Sequence, residues 1–276
     1  MKIVTWNIAQ RDEAWRHLAN TDADIALLQE ARQPPADVSS RFEVDTAPWY
    51  TAGINSNRRW RTAVVKLSDR VQVDWLRTNT VELSVHDELA VSCAGTLAVA
   101  IVTPPEAEPI LVASIYATWE RPHQRTGSRW IYADGSAHRL ITDLSALIGS
   151  QSKHRIIVAG DLNILYGYGE HGNQYWARRY ATIFDRMAAL GLKFAGPQAP
   201  NGRQALPWPE ELPPSSRNVP TYHTARQTPA TATRQLDFVF ASEFLADQIT
   251  TRALNEPEEW GPSDHCQVEI VVGNTR

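Results

Sequence analysis

Polar residues with chemistry in them close or interrupt the apolar runs of this chain. Asn7 breaks the run in "VTWNIAQ", Glu30 closes "IALLQEA", and Tyr116 ends the apolar part of "VASIYATW". "AGDLN" sets Asp161 and Asn163 just past the strand-like run Ile156 to Gly160. "RQLDFVF" holds Asp237 between apolar neighbours, and "GPSDHCQVEI" sets Asp264 and His265 ahead of the last run. Each has an ordinary explanation. Gly, Asp and Asn leave extended structure cheaply; Glu30 can be a solvated strand end, Tyr116 a core aromatic with a wet tip, His265 a turn residue. Asp237 is harder to excuse, because a bare buried carboxylate costs several kcal/mol unless something faces it. Together, these residue types match what phosphodiester cleavage requires: carboxylates and amides for a hard cation, a base for water, and donors for phosphoryl oxygens.

The elements that must position these residues are short and rich in Ile, Val and Leu. The pattern predicts strands over Lys2 to Ile8, Asp24 to Gln29, Thr62 to Leu67, Leu97 to Thr103, Ile110 to Tyr116, Arg155 to Gly160, Gln235 to Ala241 and Cys266 to Val272. Helices are expected at Glu13 to Asn20, Ala137 to Gly149 and Tyr175 to Leu190, the last stopped by Gly191. So many consecutive strands exclude a doubly wound parallel sheet and favour two packed sheets with helices outside. Pro and polar residues crowd Gly196 to Thr233, which predicts a long loop and a candidate substrate wall. No repeat, low-complexity segment or linker divides the chain, so one domain over residues 1–276 is expected.

Apolar residues at 43% and charged residues at 21% are ordinary for a globular protein and argue against disorder. No apolar run reaches membrane-spanning length and "MKIVTWNI" has no signal core, so a cytoplasmic protein without a membrane anchor is expected. Cys93 and Cys266 are far apart and lack metal-ligand spacing, which reads as two reduced thiols. A formal charge of -4 provides no global field for a polyanion, so any nucleic-acid contact must be local.

In order along the chain, "WN" at 6–7, "QE" at 29–30, Tyr116, "GDLN" at 160–163, "LDFVF" at 236–240 and "SDH" at 263–265 resemble the endonuclease/exonuclease/phosphatase superfamily. That resemblance implies an α+β fold, a deoxyribonuclease-like four-layer α/β/β/α sandwich with the site where strand tips and loops meet. It also implies roles. Glu30 resembles the principal Mg²⁺ ligand, with Asn7 beside it on the ion or its waters; Mn²⁺ is a possible substitute. Asp161 resembles the residue that orients and deprotonates water, and Asn163 one that binds a phosphoryl oxygen. His265 would donate to phosphoryl oxygens while Asp237 holds its ring, and Asp264 would approach a second ion or order the first ion's waters. The family divides over whether the Asp161 carboxylate or the histidine pair takes the water's proton, and the sequence leaves both open. Tyr116 stands where many members carry the histidine of an "NxH" motif, and it resembles the phenol of AP endonucleases, which leans towards a nuclease.

Two patches combine arginine with aromatics, a composition that grips single strands or locally opened duplexes. "NRRWR" sets Arg58, Arg59 and Arg61 around Trp60; "TWERPHQRTGSRW" sets Arg121, Arg125 and Arg129 between Trp119 and Trp130, directly after Tyr116. The second is the expected substrate patch. Tyr222 in "PTYHT" is a further expected pocket residue, whereas adjacent Glu170 and His171 lack companion ligands and read as structural, as does His138. Three functions follow: a Mg²⁺-dependent nuclease first, a phosphoesterase acting on a small or lipid-linked phosphate second, and a non-catalytic binding module on the same fold third.

Overall fold

The computed structural model describes residues 1–50, 58–149 and 154–273; Asn57 of the "NRRWR" patch lies outside them. Fourteen strands and four α-helices are present among the described residues. In chain order they are β1 (Lys2–Asn7), α1 (Asp12–Leu18), β2 (Ile25–Ala31), β3 (Glu43–Val44), β4 (Arg61–Lys66), β5 (Gln72–Leu76), β6 (Thr78–Thr80), β7 (Leu89–Val91), β8 (Leu97–Thr103), β9 (Ile110–Tyr116) and α2 (Asp134–Ser145). Then come β10 (Ile156–Asp161), α3 (Gln174–Ala189), β11 (Leu192–Gly196), β12 (Asp237–Ser242), α4 (Glu243–Ala246), β13 (Ile249–Ala253) and β14 (Val268–Val272).

The strands form two large mixed sheets, ordered β13-β14-β1-β2-β4-β3 and β11-β12-β10-β9-β8-β5, while β6 and β7 form a separate parallel pair. Ile3, Ile25, Leu27 and Val64 of the first sheet pack on Val112, Ile157, Val239 and their neighbours in the second, forming a dry layer between them. Trp15 and Leu18 of α1 cover the outer face of the first sheet. The second sheet is covered by α2 and α3 through residues such as Leu140, Ile141, Ile183 and Met187. This is the four-layer α+β sandwich expected from the sequence. Strands apolar on both faces account for the near-continuous Val, Ile and Leu runs of β9 and β10.

The core strands lie where the apolar runs placed them, and the ends differ in instructive ways. β12 starts at Asp237 rather than Gln235, which puts Asp237 at the rim of its sheet and not in the middle of a strand. β14 starts at Val268, leaving Cys266 and His265 in the approach to it. α2 begins three residues early, at Asp134, and ends at Ser145. β3, β5, β6, β7, β11 and β13 lie outside the expected runs; they are short, edge or half-exposed strands whose polar residues hide the pattern. Between β11 and β12 no α-helix or named strand occurs, only a short 3₁₀ turn at Pro229–Thr231, so the long Pro-rich loop is present as expected. Cys93 and Cys266 are unpaired, and among the described residues no helix is long and apolar enough to cross a membrane.

One glycine governs how the second sheet ends. β9 and β10 run parallel with Ile115 opposite Gly160 and Tyr116 opposite Asp161. Gly160 has φ 154, and a Cβ there would collide with the Ile115 carbonyl oxygen, an atom of backbone that cannot swing aside. Gly160→Ala should therefore cost about 3 kcal/mol, as overpacking of a fixed interior does. Gly127→Ala, at φ 67 with nothing within 4 Å of the added methyl, should cost only about 1 kcal/mol of left-handed strain. Urea denaturation of both variants checks this, and equal losses would refute the steric reading.

Candidate active site

Burial creates the central problem of the site. Asp161, the last residue of β10, is 1% exposed, and its carboxylate accepts from donors on both sides of the sandwich. Asn7 at the tip of β1 donates its amide to Oδ2 at 3.0 Å. Asn163 donates its backbone N–H to Oδ1 at 2.8 Å and its side-chain amide to Oδ2 at 3.2 Å. The strand has ended by then. Asn163 adopts φ 51, so an Asx-type turn, rather than strand alternation, folds it back onto Asp161. Its amide also donates to the Ala117 carbonyl at 3.0 Å, which ties the turn to the end of β9.

His265 approaches from the loop before β14. Its Nδ1 lies 2.8 Å from Asp237 Oδ2, and its Nε2 lies 3.8 Å from Asp161 Oδ2. The buried Asp237 thus has the partner its burial demanded. β10 and β12 pair with Asp161 directly opposite Asp237, so Tyr116, Asp161 and Asp237 form one row across three strand ends. Burial pushes His265 down, but Asp237 and Asp161 outweigh it and raise the imidazole to about 10. Burial pushes Asp161 up to about 7, against the opposing charge of His265. The imidazole therefore carries a proton at neutral pH and presents a donor to the pocket.

Glu30 reaches the site because β2 is irregular. Its pairing with β4 shifts register between Leu28 and Ala31, and Glu30 itself sits at φ 48, so a bulge re-aims the carboxylate across the strand tips. Oε1 accepts from the Tyr116 hydroxyl at 3.0 Å and from the Asn7 amide at 3.3 Å; Oε2 accepts from Gln10 at 3.4 Å. Burial and the charges of Glu30 and Asp161 raise Tyr116 well above the ordinary phenol range, which keeps it a donor. Asn7 points its amide nitrogen at both carboxylates, while its oxygen accepts from the Ala9 N–H at 2.9 Å. Asn7 thus offers this pocket a donor rather than a ligand oxygen. Strain clusters here: Ala9, Gln10, Glu30 and Asn163 are non-glycine residues with positive φ.

Among the described residues, no three His, Cys, Asp or Glu side chains come together as a cage for a metal ion. One carboxylate, Glu30, with neutral amide and phenol neighbours fits an ion that keeps most of its own water, as Mg²⁺ does. Asp264 is partly exposed; its Oδ1 accepts from the Ser263 hydroxyl at 3.3 Å.

Other expected residues fall on both sides of the expectation. Tyr222 packs on His265 with ring centroids 4.8 Å apart. Arg121, Arg125 and Arg129 are exposed on the loop that follows β9, with Trp119 and Trp130 also exposed at its ends. The first arginine patch is divided. Arg61 is buried, paired with Asp45 at 2.8 Å and stacked over Trp49, so it is a structural residue and unavailable to phosphates. Arg58 instead lies over Trp60, whose ring meets Tyr116 at 4.9 Å, so this arginine is the member of the patch beside the site. Glu170 pairs with Arg234 at 2.9 Å, which gives it the structural role expected.

Sequence reasoning missed the supports. Gln29, fully buried, donates to Thr5 at 3.2 Å and to Ser114 of the opposite sheet at 3.0 Å, bridging the sheets behind Glu30. Ser263 donates to the Asn7 carbonyl at 2.7 Å, and Trp6 Nε1 to the His265 carbonyl at 2.8 Å. Thr221 accepts from the backbone N–H groups of Leu236 and Asp237. A polar residue inside the apolar run of "IALLQEA" was the available sign for Gln29.

Three comparisons with known proteins extend the geometry. The endonuclease domain of TRAS1, a telomere-specific non-LTR retrotransposon, superposes with a TM-score of 0.62 at 16% identity, covering 100% of this chain and 99% of its own. The AP endonuclease LMAP from Leishmania major gives 0.64 at 17% identity over 99% and 88%. The 3' phosphatase NExo from Neisseria, bound to product DNA hairpin, gives 0.55 at 16% over 99% and 100%. At these identities the likeness is one of fold. No curated protein sequence matches. The sequence description of the Endonuclease/Exonuclease/phosphatase family matches residues 4–265, and this chain belongs to that family.

Proposed function

We propose that the chain is a Mg²⁺-dependent phosphodiesterase that hydrolyses a nucleic-acid strand by attack of water. The observation that carries this reading is the convergence on one pocket of the Asp161 carboxylate, the Asp237-held imidazolium of His265 and the Glu30 carboxylate. Asp161 is the base. Three donors fix its orientation so that it can hold and deprotonate a water, and Asn163 takes a phosphoryl oxygen by turning one amide N–H away from Asp161 or Ala117. His265 presents Nε2 to the phosphoryl group as donor, and Asp237 fixes the ring through Nδ1. Tyr116 turns its hydroxyl from Glu30 to a phosphate oxygen. Glu30 would hold the ion, with Asn7 orienting Glu30 and Asp161, and Asp264 ordering water at the rim. A bound Mg²⁺ would supply polarisation of the phosphoryl group and neutralise its charge.

Nucleic acid is favoured over a small phosphoester by the exposed arginines of the loop after β9, which give a chain of net charge -4 a local grip on phosphates. The named activities of the structural relatives, an endonuclease domain, an AP endonuclease and a 3' phosphatase with DNA, support the same reading. A location in the cytoplasm and a single domain over the whole chain accompany it.

Excess chelator should abolish turnover, and Asp161→Asn should lower kcat on the order of 10²-fold or more, as loss of a positioned base does, with little change in KM. Wild-type turnover by the variant on every active substrate would exclude the assignment. His265→Ala and Asp237→Ala should each be severe, yet the double variant little worse, because the two act as one unit. Kinetics with thermal melts beside them check this, and additive losses in log kcat would separate the two residues. Replacing Arg121, Arg125 and Arg129 by Ala should raise KM on polynucleotide and flatten the slope of log K against log[salt] by roughly 2 to 3. No polynucleotide cleavage at any salt, or an equal loss on polynucleotide and on a small activated phosphodiester, would move the substrate to a small phosphoester.

A further inference from the structure

The two strands that carry Tyr116 and Asp161 continue into loops that meet again beside α3. One loop runs from Thr118 to Ala133, the other from Asn163 to Asn173. Between the first loop and the start of α3, at the end of the second, lies a cleft of about 420 Å³ whose walls include Trp130, Tyr132, Tyr175, Trp176 and Arg179. Two of the aromatic walls face solvent: Trp130 is 44% exposed and Tyr175 is 59% exposed. Each packs on the buried ring of Trp176, at 5.3 and 5.2 Å between ring centres, so the two exposed rings belong to one aromatic patch, and such a patch marks a place where something binds.

The cleft is already rigid. Trp130 meets Trp176 edge to face at 5.3 Å, and Tyr132 lies nearly parallel to Trp176 at 6.4 Å. The Arg179 guanidinium sits 4.8 Å from the Trp176 ring centre and 5.4 to 5.5 Å from those of Tyr132 and Tyr175. Asp134 holds it with contacts of 2.6 Å, and the Tyr175 hydroxyl accepts from it at 3.0 Å. With its charge balanced by Asp134, Arg179 offers the cleft a flat face rather than a free cation. The occupant is therefore a planar, uncharged ring with polar edges, and the Asn173 amide, whose oxygen already caps α3, keeps its NH₂ for such an edge. A cleft of this size has room for one base with its sugar, and a base can enter and stack on these walls only when it is unpaired and splayed from its neighbours.

We infer that this cleft stacks one unpaired nucleobase of the substrate strand, so that the chain acts on single strands or on ends and bulges with an unstacked nucleotide. The inference rests on the nucleic-acid reading and adds the substrate class. Placement supports it: Trp130 and Tyr132 stand on the loop that follows β9 and Tyr116, and the exposed Arg121, Arg125 and Arg129 of that same loop supply cations for the strand's phosphates.

The test is calorimetric titration of the full chain, in chelator, with an oligothymidylate ten nucleotides long and with a ten-unit abasic backbone of equal charge. The oligothymidylate should bind about 10-fold more tightly, and Trp130→Ala or Tyr175→Ala should each remove about that factor from it, as expected when base stacking on an aromatic is lost. Binding of the abasic backbone should change little. Both side chains are partly exposed and outside the core, so the variants should stay folded at the titration temperature, which melting curves check and which excludes unfolding as the cause. Equal affinity for the two decamers overturns the proposal, as does equal weakening of both by the variants. Free thymidine monophosphate binding as tightly as the decamer would assign the cleft to a free nucleotide and likewise overturn it. Hydrolysis of bis(p-nitrophenyl) phosphate by the wild-type chain with Mg²⁺ reads the catalytic reading separately: its absence would refute the phosphodiesterase, whereas base-independent decamer binding refutes the cleft alone.

Discussion

A carboxylate with almost no solvent is the constraint on which the rest of the molecule depends. Asp161 is buried at the meeting of two sheets, and its ionised form is tolerable only if donors surround it. Those donors cannot come from its own strand, whose neighbours are apolar. They arrive from β1 through Asn7 and from the turn after β10 through Asn163, while the His265 imidazolium in the approach to β14 adds its charge at 3.8 Å without a hydrogen bond. Removing any one of them would leave charge unpaired in a dry place, a loss that exceeds the net value of the pair itself. The requirement therefore fixes the register of both sheets at one end. The apolar interior can slide nowhere, because Asp161 has to lie opposite Tyr116 on one side and Asp237 on the other.

That constraint propagates through the backbone. Holding β9 and β10 this close requires a glycine opposite Ile115, and bringing Glu30 to the same pocket requires a bulge and a left-handed residue in β2. Neither conformation is favourable in isolation; each persists because the surroundings over-determine it. Gln29 shows how. Its amide spans the two sheets just behind the bulge, so the strand cannot relax to regular pairing without leaving Ser114 and Thr5 short of a partner. The result is a set of side chains whose positions are settled before any substrate arrives, the condition under which oriented dipoles stabilise a developing charge at no reorganisation cost.

Most of this frame was legible in the sequence, and the parts that were not share a cause. The central strands are buried on both faces, so their apolar runs mark them to within a residue or two, and β8 and β9 have the expected bounds. β5 reads QVDWL and β13 reads ITTRA, edge strands whose polar residues blur the pattern, and they were missed. The residues of the pocket were legible by type because "WN", "QE", "GDLN", "LDFVF" and "SDH" stand in order at the ends of apolar runs, a set no single turn explains. Their supports were not, because Gln29, Ser263 and Thr221 act through partners far away in sequence. Arg61 shows the opposite error. Beside Trp60 it looked like part of a basic patch, but it starts β4 and turns inward to Asp45, a direction that only the pairing of β4 decides.

The division between frame and loops also bears on selectivity. Every residue proposed to act on the phosphate lies at a strand tip or one turn beyond it, where two sheets hold it, and nothing in that constellation distinguishes one phosphodiester from another. Residues that could distinguish substrates lie farther out: Arg58 and Trp60 lead into β4, Arg121 to Trp130 follow β9, and the exposed Tyr175 opens α3. Loops of this kind can exchange residues without disturbing the charge balance around Asp161, because they contribute no donor to it. On the proposed reading, chemistry and choice of substrate are therefore physically separable in this chain. The chemistry is bound to the register of the sheets, while the substrate is set by side chains whose loss the sheets would not feel.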